Sequence, residues 1–152
     1  LVYIRHPLHF PMSNLFPTIL MLLALIGGVV IGRMEAQWIV ADKKVNHFLL
    51  TLLRLSLATL ALIALLPRPI EIPTAAMSLL LMMGTFAPAH RVALNSRRME
   101  LGHKIPGYHL GKGLYDTCWM TVMGKNERRA FLVMCSFEIL LSLAMLQQLR
   151  NN

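Results

Sequence analysis

Four apolar runs, each about as long as the hydrocarbon core of a bilayer is thick, take up about half of this chain. They lie at 15–32, 48–66, 72–89 and 130–149. The first and third carry no charge, the second holds Arg54 and the fourth holds Glu138. A helix rising about 1.5 Å per residue needs about 17–25 mainly apolar residues to cross a membrane. Hydrocarbon offers no water to satisfy an open backbone, so each run is expected to be helical. The competing reading is a soluble bundle with buried helices. A soluble helix carries a polar stripe, and the first and third runs have none. A hydrophobic fraction of 56% against 14% charged residues points the same way. The expected fold is an all-α integral membrane protein. It has four transmembrane helices and an amphipathic interfacial helix in a long loop at 90–129, within one domain over 1–152.

Orientation follows from the basic residues. Four spans put the N-terminus, the 67–71 turn and the C-terminus on one side, with Arg5, Arg68 and Arg150. The other side holds Arg33, Lys43, Lys44, Arg91, Arg97, Arg98, Lys104, Lys112, Lys125, Arg128 and Arg129. The positive-inside rule then leaves both termini outside and the 90–129 loop in the cytoplasm. A bacterial inner membrane is the first expectation and an organellar inner membrane the second. The +8 net charge reads as a topological signal, and no nucleic-acid partner is expected.

The opening stretch is broken by Pro7 and Pro11 and cannot span; Tyr3, Phe10 and Phe16 suit the headgroup level. Its start at Leu1 leaves room for residues ahead of it, and no signal-peptide pattern precedes the first run. Three prolines within PRPIEIP make the second and third runs an antiparallel hairpin. In the cytoplasmic loop, 90–104 reads as a helical extension of the third span, and Pro106, Gly107, Gly111 and Gly113 then force a loop. Leu114 and Tyr115, Cys118 and Trp119, Val122 and Met123 recur at helical spacing, flanked by Lys112 and Lys125. That pattern suits a helix lying in the headgroup region against anionic lipid. It equally suits a helix packed on the cytoplasmic end of the bundle.

Arg54 and Glu138 are the residues that need a reason. An ionisable group at a helix centre costs roughly 2.5–3.5 kcal/mol on insertion scales. Counted from the cytoplasmic ends of their runs, they lie at depths of roughly 9 and 12 Å. An intramembrane pair between them is therefore expected, with snorkelling, neutralisation or a transport role for Glu138 as alternatives. Gly28 and Gly32 form a GxxxG that permits close helix approach, within the chain or between copies. Ser56, Thr59, Ser78, Ser136 and Ser142 suit interhelical hydrogen bonds better than catalysis. His90, His103, His109 and Cys118 show no ligand spacing, and Cys118 and Cys135 form no CxxC, so neither metal nor cofactor is expected.

The stretch TFAPAHRVALNSRR followed by YHLGKGLYD resembles a pattern in uncharacterised small polytopic membrane proteins of bacteriophages and mobile elements. The matching residues are Asn95, Arg98, Leu110, Gly111 and Asp116, over about 40 residues. The resemblance implies a phage or bacterial setting and no particular activity. With no catalytic set in view, the expected role is non-enzymatic. The first reading is an accessory or scaffold protein that meets other membrane proteins or itself. The second is a small conducting or holin-like protein using Glu138.

Overall fold

The computed structural model describes residues 12–41, 47–66 and 71–151. Tyr3, Phe10, Lys43, Lys44, Pro67 and Pro69, with the roles assigned to them above, lie outside the described residues. Five helices and no strand are found among those described: α1 (Met12–Val40), α2 (His47–Leu65), α3 (Ile72–Glu100), α4 (Leu114–Val122) and α5 (Glu127–Asn151). Three of them, α1, α3 and α5, are long and apolar enough to cross a membrane. The apolar stretch of α2, Leu50–Leu65, is shorter.

The helices overrun the apolar runs for local reasons. Beyond Gly32, α1 meets no helix breaker before Val40. Pro88 sits inside α3 without ending it. It removes the hydrogen bond that its nitrogen would have given to the carbonyl of Gly84. Neighbouring helices compensate such a defect in a membrane bundle, and both Gly84 and Pro88 are buried. Glu71 and Pro73 start α3, with proline in the first turn where its missing donor costs nothing.

Helix direction can be read from the contacts. Gly28 faces Phe86, Ala89 and His90, and Gly32 faces His90, Ala93 and Leu94. The numbers rise together, so α1 and α3 run parallel. A Cβ on Gly28 would lie 2.8 Å from the Phe86 carbonyl oxygen, and one on Gly32 would lie 2.5 Å from that of His90. The GxxxG therefore serves packing within the chain, with the glycines letting two backbones touch. Against α5, the order reverses: Leu81 and Thr85 meet Ser142, whereas Arg91 meets Glu138. Hence α3 and α5 are antiparallel. Helix α2 is antiparallel to α3, with Arg54 at His90 and Leu62 and Leu65 in the cluster around Leu81 and Met82.

Helix α3 is the centre of the bundle. It touches α1, α2 and α5, whereas among the described residues the backbones of α2 and α5 do not approach each other. Two of its neighbours each bury one stripe: Pro17, Leu20, Ala24, Gly28, Gly32, Glu35 and Ala36 in α1, and Phe131, Met134, Glu138, Ser142 and Leu149 in α5. These fall at the three- and four-residue spacing of one helix face. The outer faces are apolar: Leu60 is 62% and Leu140 65% exposed. Such a surface is ordinary against lipid and a liability against water.

Candidate functional site

Two ion-pair clusters lie side by side on α3, anchored by the consecutive residues His90 and Arg91. In the first, α1 supplies Glu35, α2 supplies Arg54 and α3 supplies His90. The Arg54 Nη2 donates to Glu35 Oε2 at 2.5 Å, and His90 Nε2 stands 2.8 Å from the same oxygen. A nitrogen that close to a carboxylate oxygen requires a proton between them, because two lone pairs would repel. His90 therefore carries its proton on Nε2 and donates to Glu35. The 3.1 Å approach of Arg54 Nη2 to His90 Nε2 is then two donors converging on one acceptor. Phe86, one turn before His90, stacks on the imidazole at 5.6 Å and lies under the Arg54 guanidinium at 5.8 Å. Glu35 is 4% exposed, so its charge is held by these partners and hardly by water.

In the second cluster one guanidinium nitrogen, Arg91 Nη1, donates to both oxygens of Glu138, at 2.9 and 2.7 Å. Arg91 Nε lies 3.7 Å from Asp116 Oδ1, and its guanidinium covers the Tyr115 ring at 5.5 Å. Burial pushes the Tyr115 hydroxyl above its ordinary pKa. One turn from Glu138, the Ser142 hydroxyl donates to the Leu81 carbonyl and shares a 3.0 Å hydrogen bond with Thr85. Ser78, fully buried a little further along α3, has a hydroxyl without a partner among the described residues.

The expected pair of Arg54 with Glu138 is not made. Arg54 is held by Glu35 and His90, and Glu138 by Arg91. Depth was not the error, since both clusters sit at the level of His90 and Arg91. Adjacency was: α3 stands between α2 and α5 and supplies a separate partner to each. Glu35, His90 and Arg91 lie just past the ends of the apolar runs, where a charge looks like ordinary flanking polarity. One signal was present for Glu35, which falls on the same face of α1 as Gly28 and Gly32. Of the serines expected to bond between helices, Ser142 does so, while Ser56, Thr59 and Ser136 are exposed.

The segment after α3 is fixed in place. The buried Asn95 amide donates to the carbonyls of Gly107 and His109, at 3.1 and 2.8 Å. Glu127 accepts from the Leu110 amide at 2.8 Å and pairs with His109. Asp116 accepts from the Gly111 amide. Asn95, Leu110, Gly111 and Asp116 thus hold this loop. Helix α4 folds back along the first half of α5: Trp119 packs on Phe137 at 5.8 Å, and Met120 and Met123 pack on the cluster around Phe131 and Met134. The face expected to point one way is divided. Trp119 and Met123 turn to α5, while Leu114, Cys118 and Val122 form an exposed stripe.

Among the described residues no group of three His, Cys, Asp or Glu side chains is placed to hold a metal. Compared with protein-family models, curated proteins and solved structures, the chain matches none.

Proposed function

We propose that this chain is a four-span membrane protein of an assembly. In this reading it is an accessory or scaffold subunit that presents a braced basic platform to the cytoplasm. The observation that carries the reading is the loop after α3. Its turns are tied to the bundle by Asn95, Glu127 and Asp116, while Lys104, Lys112, Lys125, Arg128 and Arg129 stay exposed. A mere connection between spans needs no such bracing. The parallel run of α1 and α3 supports α2 as the fourth span, because the chain between them must return across the full thickness. Nineteen residues of α2 reach about 28 Å, close to a hydrocarbon core of about 30 Å. Positive-inside placement then sets the platform in the cytoplasm and both termini outside, in a bacterial inner membrane, which agrees with the phage-protein resemblance.

The polar column from Ser78 through Ser142 and Thr85 to Glu138 favours a second reading, proton or cation conduction. Against it, Glu138 is already clasped by Arg91 and Glu35 by Arg54 and His90. The test is the mass of the protein extracted in mild detergent. Assembly predicts a complex larger than one chain that dissociates when Lys104, Lys112 and Lys125 are all changed to Ser. A monomer in both cases, with liposome proton flux abolished by Glu138→Gln, would replace the assembly reading with the conducting one.

A further inference from the structure

A groove of ≈570 Å³ runs between α1 and α5 over the back of α3. Each of the three helices lines it over twelve helical steps, from Met21 to Arg33, Gly84 to Ser96 and Phe131 to Leu143. At 1.5 Å per residue that is about 18 Å, close to the depth of one leaflet in a hydrocarbon core of about 30 Å. The groove is charged at one end, at Arg33, and the rest of its lining is mainly apolar, its other end carrying the hydroxyls of Thr85 and Ser142, which bond to each other at 3.0 Å. The charged end lies at the carboxyl ends of α1 and α3 and the amino end of α5, the basic side of the protein.

Charge at this end is positive on balance. Arg33 lines the groove and is exposed. It donates to Glu100 at 3.2 Å, and Arg97 donates to the same oxygen at 2.8 Å, so two arginines meet one carboxylate. Arg128 is exposed on α5, two turns before Cys135 and on the same face. Ser96 adds a hydroxyl to the lining. A long apolar slot of one-leaflet depth, capped by arginines at the headgroup level, matches a ligand with a hydrocarbon tail and an anionic head.

We propose that this groove is a binding site for an anionic phospholipid of the basic-side leaflet, one acyl chain lying along Leu25, Val29, Val92 and Ile139 and the phosphate held at Arg33 and Arg128. The proposal rests on the chain spanning a membrane and is independent of the assembly role. A phosphate competes with Glu100 for Arg33 as a second acceptor, leaving Arg97 to hold Glu100. Basic side chains at the headgroup level attract anionic lipid. The groove supplies what a general surface attraction lacks, namely a defined place for the tail.

Native mass spectrometry of the full chain from nanodiscs containing equal phosphatidylglycerol and phosphatidylcholine tests this. The wild type is expected to retain one phosphatidylglycerol. Arg33→Gln with Arg128→Gln should reduce retention roughly thirtyfold. Val92→Trp, which fills the slot at a position 54% exposed, should abolish retention while the helical circular dichroism stays unchanged. Leu60→Trp, on the outer face of α2, should have no effect. Equal retention of both lipids, or retention unchanged by Val92→Trp, would overturn the proposal. So would a lipid-free dimer that Val92→Trp dissociates, since the groove would then hold a second chain. Dissociation of the assembly by the lysine changes, with lipid retention intact, would separate the two readings.

Discussion

Removing Arg91 alone should damage the bundle far more than removing Arg91 and Glu138 together. Glu138 is 5% exposed, and both its oxygens accept from Arg91 Nη1. In Arg91→Met the carboxylate keeps its burial and loses both hydrogen bonds. Stranding one partner of a buried pair costs about 3–5 kcal/mol. Neutral polar contacts in membrane bundles average only about 0.6 kcal/mol, because helices separated within the bilayer still find partners. A double clasp on a charge belongs above that figure, and the same reference state keeps it at the low end of the first range, about 3 kcal/mol. That is more than a hundredfold in the folding equilibrium. Glu138→Leu alone should cost less, since Arg91 retains Asp116 at 3.7 Å and can extend its chain toward water. The double variant Arg91→Met, Glu138→Leu should lie within about 1 kcal/mol of wild type, because similar apolar volume replaces the pair. The assay is reversible unfolding by SDS in mixed micelles, followed through Trp119, which packs on Phe137 beside the pair. If the two single effects add to the double within about 0.5 kcal/mol, the pair does not act as a unit and the reasoning fails.

Other outcomes follow from the same geometry. Gly32→Leu places a side chain where a Cβ already meets the His90 carbonyl at 2.5 Å, so α1 should separate from α3 at a cost of at least about 1–3 kcal/mol; an unchanged SDS midpoint would contradict the contact. Asn95→Ala should free two carbonyls and open the loop to trypsin at Lys104 and Lys112 while the helical circular dichroism is kept, and equal cleavage of wild type and variant would count against the bracing. Glu35→Leu should release Arg54 and His90 and be rescued in part by Arg54→Leu, read as the yield of folded protein; no rescue would mean that the cluster is not coupled. Cysteines introduced at 103–112 should resist an impermeant reagent added outside intact cells, and rapid labelling there would invert the orientation.

Helix positions were legible because bilayer length and charge exclusion leave few choices. Arg54, Glu138 and the two glycines were also legible, each as an anomaly inside an apolar run. Their partners were not. Depth follows from counting residues, whereas neighbourhood depends on which helix occupies the centre, and no single run announces that. Helix α3 reads as an average span, yet Gly84, Ala89 and Ala93 leave room for backbones on two sides. Its charged residues begin only at His90, past the point where an apolar run stops being counted. The division of the α4 face was hidden for a similar reason: helical spacing reveals an apolar face, and tertiary context decides how much of it is covered.

The parallel pairing of α1 and α3 has a consequence for how the protein is made. The two backbones that approach most closely are about sixty residues apart in sequence, with a whole helix synthesised between them. In the four-span reading proposed above, helix α1 waits in the bilayer with its glycine face uncovered until α2 has crossed back and α3 has entered. It is suited to waiting, being the most apolar of the three long helices, whereas α3 is the least. The early helix can be inserted on its own merit, and the late one arrives where a partner is already standing. Glu35, at the foot of that uncovered face, is the one acidic residue that α1 carries through the delay. Arg54 on the next helix reaches it before His90 does, so the ion cluster is assembled in the order in which its members leave the ribosome.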